Sequence, residues 1–387
     1  MFFGKKGRVI KSIAFDCGTS GVRAALFSYD KKDVLTKPEV LDVIRVPFSS
    51  ATQIDAHYLR RKTKESIRHI LKAIPALFQP EEVIMGLTTP YYVAKTIKIA
   101  KQRADERSLI TGEEFSQIQL EAQRTFEEEM QKRMSGDILI FATLLQKIFI
   151  NGYRIEHPVG NAGKIIETSF RFEATTKEIH EDFTNILAHH FHNASIRFFS
   201  IALANVYALR ATQEEDQGFL LIDVGGEITE VSLVSEGVLE QVTSLPLGHS
   251  MLVREVAGLP GLSFPDAMFI VNRYTEKTLE SEKQKKFMPL FAEFQSSWRK
   301  KLLAILAVYA QQYEIPAHIY FSGCGVLPFH KDIFSEDVFR SLLYGKNPVV
   351  EIATVETLSR QFGKQSFETP MDFGVASLAL LGARTVV

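Results

Sequence analysis

Short apolar runs and longer runs spaced by three and four alternate along this chain, and each predicts its own element. Val9 to Phe15 is a short apolar run that ends in Asp16-Cys17-Gly18-Thr19-Ser20, and a second run, Val22 to Phe27, follows at once. This predicts two strands joined by a glycine-containing turn. From Ala56 to Phe78 the spacing changes: Ile67, Ile70, Leu71, Ile74 and Leu77 share one helical face, which predicts a helix with that face buried.

The texture shifts again over 82–190. Val83–Leu87 is strand-like, and a charged stretch from Lys101 to Arg107 follows it. Gly112 to Arg133 predicts a long amphipathic helix, with Thr111 and Glu114 at capping-box spacing. Ile138–Phe141 and Gln146–Ile150 predict two strands, Asn151-Gly152 a tight hairpin turn, and Lys164 to Phe172 a half-buried strand. Helix, strand, hairpin and strand together predict a small α+β module inserted between larger halves.

After Ala194 the opening theme returns. Gly218–Ile222 ends in Asp223-Val224-Gly225-Gly226, and Thr229–Val234 is the next strand. Two strand–Asp–Gly–turn–strand units in one chain predict internal pseudo-symmetry. The remainder is mostly helical, with Trp298–Gln312 apolar on one side, until the strand His318–Phe321 runs into Ser322-Gly323-Cys324-Gly325. The expected division is therefore a first lobe over 1–80 continued by 191–212, the inserted module over 81–190, and a second lobe over 213–387.

At 387 residues the chain suits two or three domains, and its 45% hydrophobic content is enough for a large core. A formal net charge of −1 offers no footprint for nucleic acid. The two cysteines, Cys17 and Cys324, stand far apart, which argues against a zinc site or a disulfide framework and fits a reducing cytoplasm. The segment MFFGKKGR lacks the pattern of a secretory signal, and no run approaches the roughly 18 apolar residues of a membrane span. Membrane contact is expected to be peripheral, at the inner face, or to come through a partner.

Asp16 and Asp223 are the first candidates for chemistry. Each ends a strand at a glycine turn, where backbone N–H groups can hold phosphate oxygens and the carboxylate is free to hold a hydrated Mg²⁺. Gly18, Gly225 and Gly226 supply those turns, and the hydroxyls of Thr19, Ser20 and Thr229 are expected to add donors for the β- and γ-phosphates. Gly323, Cys324 and Gly325 let the chain approach a purine or ribose closely. The alternative for any single turn is a hairpin whose Asp caps it. Two turns plus a third glycine motif point to a nucleotide fold.

Together these residues resemble the actin-like ATPases. Asp16-Cys17-Gly18-Thr19-Ser20 is similar to their first phosphate motif, Asp223-Val224-Gly225-Gly226 to the second and Ser322-Gly323-Cys324-Gly325 to the adenosine motif. His157-Pro158-Val159-Gly160-Asn161-Ala162-Gly163 resembles a segment of the FtsA division proteins. So do Leu203-Ala204-Asn205 followed by Glu214-Glu215, the Leu247-Gly248-His249 stretch and a closing Met371–Ala383 helix. The resemblance implies a duplicated, ribonuclease-H-like α/β ATPase fold of two lobes with a small SHS2-like insert. It also implies ATP and Mg²⁺ as cofactors, with Gly248 among the nucleotide-binding residues. The partners it implies are a second copy in a head-to-tail filament and a tubulin-like or other division protein.

Three departures bear on that function. Glu227 stands where the second phosphate motif usually has glycine, and its carboxylate is expected to repel phosphates unless a cation intervenes. The family's Glu-x-x-Lys ribose contact is missing from Ala267–Asn272, and Gly21 replaces the first-loop lysine. Weak nucleotide binding and slow or absent hydrolysis are implied.

No amphipathic helix follows Ala383, so the expected membrane contacts are a partner or Met1–Arg8, where Phe2 and Phe3 could insert while Lys5, Lys6 and Arg8 meet anionic headgroups. A frayed terminus is the alternative there. PilM, the actin-like adaptor of type IV pilus machinery, fits the Phe/Lys-rich start and the end of the chain, and remains the alternative to FtsA. Asp16–Phe27 also resembles the opening of sugar kinases, which leaves a small-molecule kinase as a third reading. His189, His190 and His192 are expected to mark a solvated helix end, and the charged stretch Glu280–Lys286 a solvated loop or helix end.

Overall fold

The structure, a computed structural model, describes residues 8–32, 36–48, 54–132, 136–213 and 217–385. Met1–Gly7 of the candidate membrane segment lies outside these residues, as do Glu214 and Glu215.

The chain opens with an antiparallel meander of β1 (Val9–Cys17), β2 (Gly21–Asp30) and β3 (Glu39–Pro47). The two-residue period of a strand sends Ile13, Phe15 and Cys17 to one core and Ile10 and Ala14 to another. α1 (Ala56–Ala73) follows, capped by the Asp55 carboxylate, which accepts from the Tyr58 N–H at 2.7 Å. Ile67, Ile70 and Leu71 are buried on its inner face, and Ile74 just past it. Leu77 does not join them. Pro75 excludes the residue before it from helical backbone, and Ile74 accordingly has a ψ of 130°. The helix stops there, and Leu77 is 91% exposed.

β4 (Glu82–Leu87) pairs parallel with β1. Beyond it, β5 (Val93–Gln102), α2 (Gly112–Gln131), β6 (Ile138–Ile150), β7 (Tyr153–Arg154) and β8 (Ile165–Thr176) form a separate unit. Its sheet runs β5-β8-β6-β7, with Ile118, Ala122 and Phe126 of α2 packed on one face. β6 is a single strand where two were expected. Register shifts at Ile140/Ala142 and Leu145/Lys147 let one strand absorb the polar interruption. Asn151 and Gly152 take positive φ, 51° and 82°, and make the tight turn into β7. Thr111 caps α2 by accepting from the Glu114 N–H at 3.1 Å. The Glu114 carboxylate turns to Arg103 at 2.8 Å instead of completing the capping box.

α3 (Lys177–His190), β9 (Ser195–Ser200) and α4 (Ile201–Arg210) return to the first sheet, where β9 pairs parallel with β4. That sheet reads β3-β2-β1-β4-β9. The second half continues through β10 (Phe219–Val224), β11 (Thr229–Ser235), β12 (Val238–Leu245), α5 (His249–Ala257), α6 (Phe264–Thr275) and α7 (Ser281–Tyr309). It ends with β13 (His318–Ser322), α8 (Pro328–Asp332), α9 (Asp337–Leu342), β14 (Val349–Ile352) and α10 (Phe373–Arg384). Its sheet is β12-β11-β10-β13-β14, with the same sequence of antiparallel and parallel neighbours as the first. The pseudo-symmetry read from the two Asp–Gly turns is thus a repeated sheet topology.

Three segments sit elsewhere than the expected division. β4 lies between β1 and β9 in the first sheet, so 82–87 belongs with the lobe rather than with the insert. α3 buries Phe183 and Leu187 in the first lobe's outer core, beside Ile67 and Ile70 of α1. α10 packs on the first sheet, against β1, β2 and β4, with Gly382 close to Ile84 and Phe27, and α4 packed beside it reaches β11 and β12 of the second sheet. An apolar run in isolation is compatible with any of these partners, and the lateral neighbours decide. The charged stretch Glu280–Lys286 opens α7, whose Trp298, Leu302, Leu306 and Tyr309 line the second lobe's outer core. Among the described residues no helix is long and apolar enough to cross a membrane.

Candidate functional site

The two sheets bring their Asp–Gly turns face to face. In the first turn the Gly18 N–H donates to the Gly21 carbonyl at 3.1 Å, and in the second the Gly225 N–H donates to the Ile228 carbonyl at 2.9 Å, the same closure in each. Across the gap the Glu227 N–H donates to the Thr19 hydroxyl oxygen at 3.0 Å. Ser20 Oγ lies 3.3 Å from Cys324 Sγ in the third motif. The approach leaves no room for side chains: a Cβ on Gly226 would stand 2.7 Å from Ser20 Cβ. Gly323 takes φ +94°, and a Cβ there would fall 2.4 Å from the Val224 carbonyl oxygen and 2.7 Å from Asp223 Oδ1.

Two expected ligands have other duties. Thr229 is fully buried, its hydroxyl donating to the Leu247 carbonyl at 2.6 Å and accepting from Trp298 Nε1 at 3.2 Å. Its one proton is spent on Leu247, so it supports the turn instead of donating to phosphate. Gly248 begins α5, and the next two N–H groups, of His249 and Ser250, donate to the carbonyls of Gly225 and Gly226 at 3.0 and 2.8 Å. The start of α5 therefore braces the second turn.

Behind the turns lies a polar cavity of about 50 Å³ lined by Asp16, Asp223, Glu230, Arg23 and Asn205. Burial raises the Asp16 carboxyl to about 6; Arg23 opposes the rise, while Asp223 and Asp372 add to it. Burial also raises Asp223, against the Ser322 hydroxyl that donates to its Oδ1 at 2.7 Å. Glu230 is lifted to about 7, first by burial, although Thr89 donates to its Oε1 from both N–H and hydroxyl at 3.2 and 2.5 Å. Glu230 Oε2 and Asn205 Oδ1 have no hydrogen-bond partner among the described residues.

Arg23 and Glu230 are the site residues that motif reading missed. Arg23 pairs with Asp16 in the β1–β2 ladder, and its Nη1 lies 3.7 Å from Asp16 Oδ2. Arg23 thus places a cation two residues after Gly21, held between Asp16 and Asp372. The hairpin register carried that signal, because Asp16 and Arg23 are symmetric about the turn. Glu230 gave no local signal, since its partners Thr89 and Tyr92 lie far away in sequence.

The cavity opens on a larger cleft of about 450 Å³, within the range of ligand pockets, where Phe264, Met268 and Asn272 of α6 face Val22, Val46 and Met371. In place of a Glu-x-x-Lys pair, α6 presents apolar and amide groups to the cleft. Glu227 lines this cleft as well, but not as a bare charge. Arg254 grips it with Nη1–Oε1 at 2.8 Å and Nη2–Oε2 at 2.5 Å.

These groups suit a nucleotide in donor chemistry. The N–H groups of Thr19, Ser20 and Gly226 make no hydrogen bond among the described residues, which is what phosphate oxygens require. Asp16 and Asp223 in one cavity suit a cation held through water, and among the described residues no three His, Cys, Asp or Glu are gathered as direct ligands. The 50 Å³ behind the turns has room for only a few waters, whereas the 450 Å³ cleft, which Thr19 and Ser20 also line, has room for a larger ligand.

Two sheets of one repeated topology, each ending in an Asp–Gly turn at a shared cleft, define the actin-like ATPase fold. No family model matches the sequence, and no curated protein does. Among solved structures, the PilM-PilN type IV pilus biogenesis complex is similar with a TM-score of 0.64 and 15% identity, over 96% of this chain and 98% of that one. The ethanolamine utilization protein EutJ from Carboxydothermus hydrogenoformans has a TM-score of 0.45 and 11% identity, over 97% and 90%. MreB 5 of Spiroplasma citri bound to AMPPNP has a TM-score of 0.44 and 11% identity, over 96% and 95%. At 15% identity the likeness to the PilM-PilN complex speaks for fold alone, and function has to be argued from the site.

Proposed function

We propose that this chain is an actin-like, nucleotide-binding adaptor of the PilM type, which docks partner proteins in a type IV pilus assembly machinery. The observation that carries this reading is the likeness to the PilM-PilN complex over nearly the whole of both chains. The facing turns of Asp16 and Asp223 support the nucleotide part. ATP is the proposed ligand, its phosphates on the Thr19, Ser20 and Gly226 N–H groups, with Mg²⁺ held through water by Asp16 and Asp223. The proposed role is binding and conformational signalling, with at most slow hydrolysis.

Deleting the gene and imaging the cells tests the pathway. Loss of surface pili with normal division supports the adaptor reading, whereas filamentous cells with normal pili favour the FtsA-type role. Isothermal titration with Mg²⁺-ATP at millimolar concentration tests the ligand, and no heat at all would sink it. Fast, sugar-dependent ATP consumption would move the chain to the kinases. The same reading includes head-to-tail contact between copies, a heterologous interface that repeats without closing. Negative-stain microscopy with and without ATP reports on it, and a strict monomer in both counts against it.

A further inference from the structure

Three arginines line the large cleft, and they are not equivalent. Arg45 grips the fully buried Asp372 at 2.9 and 2.6 Å. Arg23 stands between Asp16 and Asp372, at 3.7 and 4.0 Å. Both are tied to the buried Asp372, and Arg45 also reaches the exposed Glu368 at 3.0 Å. Arg254 instead holds Glu227, a carboxylate of the second turn that faces the cleft with it. The side chains are 22% and 11% exposed, so each needs a charged partner.

The position of that pair is fixed from below. α5, which carries Arg254, starts on the carbonyls of Gly225 and Gly226, two and one residues before Glu227. Glu227 in turn has its N–H on Thr19. Beside them stand the N–H groups of Thr19, Ser20 and Gly226, without partners among the described residues. A guanidinium fork holding two oxygens of one planar anion, next to unspent N–H groups, is the arrangement in which a phosphoryl group is held.

We infer that the Glu227 carboxylate is an internal stand-in for a phosphoryl group, and that a phosphate-bearing ligand binds by taking the Arg254 fork from it. This rests on the nucleotide reading above and adds its regulation. Phosphate entry requires Glu227 to leave and become solvated. The exchange weakens binding of every ligand with a terminal phosphate and leaves a bare nucleoside unaffected. It also couples ligand to lobe contact, because the residue displaced is the one whose N–H bridges to Thr19.

Isothermal titration of the full chain tests this with three probes: adenosine, ADP and inorganic pyrophosphate. Glu227→Gln keeps the shape and removes the charge. It is expected to bind ADP and pyrophosphate about tenfold tighter than the parent chain, with adenosine unchanged. Arg254→Ala is expected to weaken ADP and pyrophosphate alone. The double variant is expected to lose the gain made by Glu227→Gln. A merely structural ion pair would move thermal stability without separating pyrophosphate from adenosine. Should Glu227→Gln fail to fold, Glu227→Ala serves the same comparison. Unchanged pyrophosphate affinity in the folded Glu227 variant, or a gain that survives in the double variant, overturns the inference while adenosine binding leaves the nucleotide reading standing. No binding of any probe to any variant overturns both.

Discussion

Thr19 and Glu227 meet across the cleft, the backbone N–H of the second turn donating to the hydroxyl of the first at 3.0 Å. The contact joins the two lobes directly at their phosphate turns. Thr19→Val keeps the shape and removes the acceptor. The expected cost is about 0.5–1.5 kcal/mol of stability, with faster amide exchange over Gly225–Ile228 in the free protein. Hydrogen-exchange mass spectrometry checks it, and unchanged protection there would show that the bridge does not hold the turn.

Gly323 is the position least able to accept a side chain in the third motif. Its φ is +94°, and the Val224 carbonyl and Asp223 carboxylate stand where a Cβ would go. Gly323→Ala is expected to cost about 1–3 kcal/mol through backbone strain alone and more through the clash. A thermal melt within a degree of the parent chain would mean that the β10–β13 ends can spread at little cost.

Glu230 makes stability pH-dependent. Burial lifts its carboxyl from an ordinary 4.5 to about 7, so the folded state holds the proton more tightly than the unfolded one. That contribution is fully present below about pH 4.5 and is lost as pH rises through 7. In a chelator-containing buffer, stability is expected to fall between pH 5 and pH 8, by on the order of 1–3 kcal/mol from this group. Glu230→Gln, which keeps an acceptor for Thr89 and Tyr92, is expected to flatten the slope and raise the melting temperature at pH 8. A slope that the variant leaves untouched assigns the effect to other carboxylates.

Thr229 separates support from ligand contact. Thr229→Val strands the Leu247 carbonyl and the Trp298 N–H, both buried, at a cost of about 1–3 kcal/mol. Trp298 is the single tryptophan, so its fluorescence reports the unfolding. ATP affinity measured well below the transition is expected to stay within about twofold of the parent chain, as for any residue that does not touch the ligand. A tenfold loss there would restore Thr229 to the phosphate site.

What could be read from the sequence was local. The Asp–Gly turns at Asp16 and Asp223 and the Asn151-Gly152 hairpin follow from backbone conformations that a few adjacent residues specify. Repetition of the first pattern was enough to predict a duplicated fold. The end of α1 at Ile74 was legible too, since Pro75 stands in plain sight, but the periodicity that carried on to Leu77 concealed it.

What only the tertiary structure decided was every pairing between distant segments. β4 has the same apolar run whether it joins the insert or slots between β1 and β9, and α10 the same composition whichever lobe claims it. The chemistry of Glu227 changed for the same reason. In sequence it is a bare charge in a phosphate turn, and Arg254, 27 residues away, becomes its partner only because α5 starts on the carbonyls of Gly225 and Gly226. Local propensity is set by neighbours in the chain, whereas burial, ion pairing and the acidity of a carboxyl are set by neighbours in space, which the chain meets only once its cores have formed.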